Sequence, residues 1–165
     1  MVETRWLTAD ERRAWVRLAA VVELLPGVLD TQLTRDENLT HFDYFTLAML
    51  SEAPARTLRM TTLAAQTNST LPRLSHVVSR LETQGYVKRT PCPEDRRATN
   101  ATLTAAGWRK VVRAAPGHVA TVRSYVIDAL TPTQITQLSR ICESLLARLD
   151  PDGRMFTPSG EPNDG

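Results

Sequence analysis

Between Leu63 and Leu81 a short apolar segment, the turn Thr67-Asn68-Ser69 and a longer amphipathic segment follow one another without a gap. Few folds accept that order. Asn tolerates the left-handed backbone that a tight helix-to-helix turn demands. Ser69 and Thr70 are both good N-caps for the second helix, and Pro72 falls in its first turn, where a missing N–H costs little. The pattern predicts a helix-turn-helix. Its first helix runs from roughly Thr61 to Thr67, and its second ends at Gln84-Gly85 with Gly as the C′ residue.

At 100° per residue, Leu71, Leu74, Val77, Val78 and Leu81 share a sector about 120° wide. Pro72, His76, Ser79, Arg80 and Thr83 take the opposite side, with Arg73 and Ser75 on its flanks. Hydroxyl, imidazole and guanidinium groups on an exposed face match the donors and acceptors of a DNA major groove. A merely solvated face has the same composition, so periodicity leaves both readings open.

The residues after this helix narrow the choice. Tyr86 to Thr90 and Ala98 to Thr104 are β-compatible segments separated by the turn-rich Pro91-Cys-Pro-Glu-Asp-Arg-Arg97, and they read as a hairpin. Its tip carries Arg96 and Arg97 beside Glu94 and Asp95. A guanidinium on a rigid turn can enter a narrow minor groove, and a neighbouring carboxylate can hold it through a bidentate pair. The alternative is a surface turn with a weak ion pair. From Arg73 to Lys110, eight Lys or Arg stand against three Asp or Glu, an excess of +5 in a chain of net charge +2, so the remainder sums to −3. Positive charge is gathered on this unit.

The flanks read as helices. Thr8-Ala-Asp-Glu11 has capping-box spacing, and Ala14, Leu18, Val21, Val22, Leu25, Val28 and Leu29 form a stripe that needs a partner surface, with Pro26-Gly27 expected to kink or interrupt it. Phe42 to Met49 predicts a mostly buried helix, with Phe42, Phe45 and Met49 on one side. Ala105 to Ala129 is helical in pattern with an expected break at Pro116-Gly117. Thr131-Pro132-Thr133-Gln134 then opens a last helix with Ile135, Leu138, Ile141, Leu145 and Leu149 in a stripe. The expected fold is mainly α with a small β-hairpin wing. Residues 8–40 form an N-terminal dimerisation region, 41–104 a winged helix-turn-helix DNA-binding domain whose reading unit spans Thr61 to Thr104, 105–149 C-terminal dimerisation helices, and 150–165 a flexible tail.

With 42% apolar and 5% aromatic residues, the core must be mostly aliphatic. Cys92 and Cys142 are too few and too distant for a disulfide framework or a thiolate metal site. Met1-Val-Glu-Thr-Arg-Trp-Leu lacks a basic n-region and apolar h-region, and no stretch approaches the roughly 20 apolar residues of a membrane span. The reading is a cytoplasmic protein without membrane contact.

The series Arg80-Leu81, Gly85-x-Val87-x-Arg89, Asp95-x-Arg97 and Leu103-Thr104-x-x-Gly107 resembles the MarR family of bacterial transcriptional regulators. Outside the winged unit, over roughly residues 8–149, the match is one of helix order and length. The resemblance implies a homodimer with entwined terminal helices, two recognition helices in successive major grooves of double-stranded DNA, and wings on the flanking minor grooves. By position it makes Ser75 and His76 base readers, Arg80 a phosphate or structural contact, and Arg97 a minor-groove residue oriented by Asp95. Ser69, Thr70, Arg73 and Arg96 complete the expected DNA-binding set. Many relatives carry Arg or Lys where this chain has His76.

The resemblance also implies a repressor released by a small aromatic effector in a crevice between dimerisation helices and winged unit. Trp15, His41, Tyr44 and Trp108 have suitable chemistry for lining it, although each also suits a core or surface role. Cys92, close in sequence to Arg89, Arg96 and Arg97, is a candidate redox site or a small residue filling a tight turn. His41, His76 and His118 are not at metal-ligand spacing, and no phosphate loop, nucleophile elbow or triad motif is present. No cofactor, metal or enzymatic activity is expected. The alternative outside DNA binding is a winged-helix module that docks an acidic protein partner.

Overall fold

Three helices open by the same device, the first two in succession, in the computed structural model, which describes residues 4–155. The Thr8 hydroxyl accepts the Glu11 N–H at 3.2 Å while the Glu11 carboxylate accepts the Thr8 N–H at 2.7 Å, starting α1 (Ala9–Glu37). Thr40 and Asp43 repeat the exchange at 3.0 and 2.9 Å to start α2 (His41–Glu52). Each pair satisfies backbone donors that a helix start leaves orphaned. Between the two helices Asn38 takes the left-handed conformation (φ 52°).

A 3-10 turn at Pro54–Arg56 leads into β1 (Thr57–Arg59), then α3 (Met60–Gln66) and α4 (Leu71–Thr83). The α3–α4 turn passes through Asn68 at φ 48°, the left-handed position expected of it. Gly85 follows α4 at φ 77°, where a side chain would be strained. β2 (Val87–Pro91) and β3 (Thr99–Leu103) form the wing, antiparallel with Val87 opposite Leu103. The hairpin is not alone. β1 pairs with β3 in register Thr57 to Thr102, giving the order β1-β3-β2, and the Thr57 and Thr102 hydroxyls meet at 2.8 Å.

α5 (Ala105–Val122) and α6 (Pro132–Leu149) complete the chain, joined by a π turn at Arg123–Ile127. The core lies in the winged unit, where Leu47, Leu50, Leu63, Leu74, Val78, Leu81 and Ala101 are fully buried, and Leu33 of α1 joins them. Gly107 permits the closest approach. A Cβ built there would penetrate the Tyr86 carbonyl oxygen and reach 2.6 Å from Leu103 Cδ1, so α5 can leave the sheet only at a glycine.

Several elements differ from what the sequence predicts. α1 runs unbroken through Pro26, and α5 through Pro116. A proline removes one ladder hydrogen bond, and the packing of Leu29, Gln32 and Leu33 on one side and Lys110, Val111 and Ala114 on the other outweighs that loss. The helix expected to reach Ala129 instead ends at Val122, where the π turn begins. In α2 the deeply buried side chains are Leu47 and Leu50, while Phe42 and Phe45 are only partly covered. Leu71, expected on the inner face of α4, is 42% exposed.

The apolar stripes of α1 and α6 remain uncovered in the single chain. Trp15, Leu18, Val21 and Val22 are exposed, and α6 contains no buried residue at all. After α6 the Asp150 carboxylate accepts the backbone N–H groups of Arg154 and Met155 at 2.9 and 2.8 Å, turning residues 151–155. The remainder of the expected tail, 156–165, lies outside the described residues. Among those described, no helix is long and apolar enough to cross a membrane.

Candidate nucleic-acid interface

α4 is seated by Leu74, Val77, Val78 and Leu81, all buried, and capped by the Thr70 hydroxyl on the Arg73 N–H. That seating turns Arg73, His76, Ser79 and Arg80 outward and leaves Ser75 half-buried toward the wing. Thr70 is exposed and Ser69 half-buried beside it. Two of the arginines are already engaged within the chain. The Arg73 guanidinium lies 4.6 Å over the Phe42 ring, and Arg80 is paired with the buried Asp43 carboxylate.

The wing is fastened to α4 by Glu82, a residue with no signature in the sequence. Its carboxylate accepts the Arg89 backbone N–H at 2.8 Å and the Arg89 Nε–H at 2.9 Å, and the same guanidinium donates to Ser79 Oγ at 3.3 Å. Those bonds, the backbone one foremost, hold the Glu82 carboxyl below its ordinary pKa. Arg89 appears in the Gly85-x-Val87-x-Arg89 motif, but nothing local marks its partner seven residues earlier. Ser75, Arg89 and Arg97, with Leu71 and Thr99, line a cleft of about 170 Å³ between α4 and the wing.

At the wing tip, Asp95, Arg96 and Arg97 are exposed. Asp95 Oδ1 accepts the backbone N–H of Arg97 at 3.0 Å. The carboxylate therefore orients Arg97 by shaping the turn, rather than through the bidentate guanidinium pair anticipated from sequence. Cys92 is buried, with its Sγ–H directed at Glu94 Oε2 at 3.4 Å, and Glu94 in turn lies 3.5 Å from Arg59 Nη2 of β1. The thiol fills the turn, and its basic neighbour is Arg59. Cys142 is exposed on α6.

Of the four effector candidates, the structure brings His41 and Tyr44 together around a residue not chosen for that role, His118 of α5. The His118 ring is 4.6 Å from Tyr44 and 6.2 Å from His41. His118 Nδ1 and Gln32 Oε1 are buried without a hydrogen-bond partner. Burial holds His118 below the usual imidazole pKa, with His41 adding to the effect. It also lowers His41, against the pull of the Asp30 carboxylate, and raises Tyr44. Trp15 and Trp108 stand apart. α1 rises about 22 Å between Trp15 and Asp30, the residue that accepts the His41 N–H, and α5 rises about 15 Å between Trp108 and His118. Trp108 instead carries the Arg56 guanidinium 4.0 Å over its ring. Among the described residues no group of three or more His, Cys, Asp or Glu could hold a metal ion.

A three-stranded wing packed on a helix-turn-helix, carrying an outward polar helix face beside an arginine tip, defines a winged helix-turn-helix protein. Residues 38–98 match the model of the MarR family. Sco3205, a MarR family transcriptional regulator from Streptomyces coelicolor crystallised in complex with DNA, is 44% identical with a TM-score of 0.86, the match covering 92% of this chain and 94% of that one. AbsC, a MarR family transcriptional regulator from the same organism, is 38% identical with a TM-score of 0.84, over 90% and 99% of the two chains. CouR from Rhodococcus jostii RHA1, solved bound to p-coumaroyl-CoA, shares the fold at 23% identity and a TM-score of 0.69, over 86% and 92%. The chain belongs to the MarR family of transcriptional regulators.

Proposed function

We propose that this chain is a sequence-specific, DNA-binding repressor that acts as a homodimer on a pseudo-palindromic operator. The observation that carries the reading is the placement of α4 and the wing tip. The exposed His76, Ser79 and Arg80 face of α4 lies beside the wing that carries the exposed Arg97, and the Glu82–Arg89 bonds join the two. His76 and Ser75 read base edges in the major groove, Arg97 enters the minor groove, and Ser69, Thr70, Arg73 and Arg96 meet the backbone. The DNA complex of a 44% identical relative supports the DNA-binding reading.

Dimerisation follows from exposed apolar surface. Trp15, Leu18, Val21 and Val22 on α1 and Leu138, Ile141 and Leu145 on α6 are too numerous for a monomer's surface. A two-fold dimer spaces two recognition helices one helical turn apart, about 34–36 Å. The effector is a small aromatic molecule, bound near the His41, Tyr44 and His118 cluster between the winged unit and α5. The close packing of the His118 ring on Tyr44 and His41 supports that placement. Release follows if the effector favours a dimer with the wrong helix spacing.

Footprinting on the DNA upstream of its own gene, with fluorescence anisotropy across a salt series, tests the reading. A protected two-fold site and affinity that falls steeply with salt are expected. Binding indifferent to DNA sequence, together with capture of an acidic protein by the same face, would replace it with the docking-module reading.

A further inference from the structure

Arg73 and Arg80 lie seven residues apart on α4, within about 20° of each other around the helix and about 10.5 Å along it. They form one stripe. The stripe sits at the edge of the polar face, with His76, Thr83, Pro72 and Ser79 across the middle and Ser75 at the far edge beside the wing. Two consecutive residues of another helix hold both members. Phe42 lies beneath the Arg73 guanidinium at 4.6 Å, and Asp43 receives Arg80.

Asp43 is an unusual partner for a surface arginine. Its side chain is 4% exposed, whereas that of Arg80 is 43% exposed. One carboxylate oxygen caps α2 through the Thr40 N–H, and the other accepts one Nη of Arg80. A buried carboxylate is costly unless paired, so it fixes the guanidinium in place while the remaining guanidinium donors stay available. The Phe42 face restrains Arg73 in the same way without consuming any of its donors.

We infer that Arg73 and Arg80 are phosphate contacts rather than base readers, and that Phe42 and Asp43 of α2 are positioning residues that set them along one DNA strand. The inference rests on the proposed DNA binding. It leaves sequence readout to Ser75 and His76, and gives the first turn of α2 a part in recognition through the two arginines it holds.

The test is anisotropy with the full chain on its footprinted site and on unrelated duplex, at several salt concentrations, with melting temperatures recorded for each variant. Arg80→Gln removes two phosphate contacts per dimer. The slope of log affinity against log salt should flatten by about 1.8, and affinity should fall by the same factor on both duplexes. Asp43→Asn should reproduce part of that loss, and the double variant Asp43→Asn, Arg80→Gln should bind no worse than Arg80→Gln alone. Phe42→Leu leaves every charge in place and should flatten the slope as Arg73→Gln does, which keeps the idea testable if Asp43→Asn unfolds. Loss confined to the specific site, an unchanged slope, additive losses, or tighter binding by Asp43→Asn would each overturn the inference. Failure of the unaltered protein to bind any duplex would instead overturn the proposed repressor function.

Discussion

Lys110 reaches from the first turns of α5 to the end of α1, where its Nζ donates to the Glu37 carbonyl at 2.5 Å and to Glu37 Oε2 at 2.8 Å. Both side chains are nearly buried, at 7% and 11% exposure, and Arg113 joins from the surface at 2.8 Å. Removing one partner strands the other charge in a poorly solvated place. Glu37→Leu should therefore cost about 3–5 kcal/mol, and the double variant Glu37→Leu, Lys110→Met should regain most of that loss. Urea denaturation of the four-member cycle measures it. Equal losses for the single and double variants would mean that the ion pair contributes only its packing.

Gly107→Ala should destabilise by about 1–3 kcal/mol or more, since the added methyl meets a backbone carbonyl that cannot rotate away. The damage should be local at first. Hydrogen exchange of the amides in β2 and at the start of α5 should quicken before the rest of the winged unit. A melting temperature equal to that of the unaltered protein would show that the Tyr86 backbone shifts freely.

The histidine pair predicts a pH dependence. His41 and His118 both titrate below the ordinary 6.5 when folded, burial being the main cause. The unfolded chain therefore binds more protons in that window, and stability rises with pH through it. Stability should be full above about pH 6.5 and fall as the pH drops toward the folded values. Melting temperatures from about pH 8 to 5 should show this decline, and His118→Phe should flatten it. A decline equally steep in that variant would assign it to other groups.

What could be read from sequence was whatever two nearby residues encode. The Thr8–Glu11 and Thr131–Gln134 capping boxes, the left-handed Asn68 and the Gly85 helix end each depend on a spacing of a few residues. β1 escaped notice because three residues carry no measurable alternation and pair only with a strand more than forty positions later. The Asp43–Arg80 and Glu37–Lys110 pairs span 37 and 73 residues, so no local pattern announces either. The proline positions misled for the converse reason. Local chemistry opposed a continuous helix, and packing between α1 and α5 prevailed.

Arg97→Ala should weaken operator binding by about 1–3 kcal/mol and leave the fold and assembly intact, because its side chain is exposed and only its backbone N–H is used by the wing. Asp95→Ala should weaken binding less, through a looser turn. Anisotropy on the footprinted duplex distinguishes these expectations. No loss for Arg97→Ala would remove the wing tip from the interface.

Truncation before Thr131 should yield a folded monomer. α6 contributes no buried residue to its own protomer, so the core built from α2, α3, α4 and the sheet loses nothing when it is removed. The exposed stripe of Leu138, Ile141 and Leu145 has no other role visible in the chain, and without it the α1 stripe alone must hold two copies together. Circular dichroism should keep the winged unit's melting transition while ultracentrifugation reports a single truncated chain, about two-fifths of the mass of the intact dimer. DNA affinity should collapse as well, because a single winged unit loses the second half-site. A truncated chain that sediments as a dimer would place the interface on α1 alone.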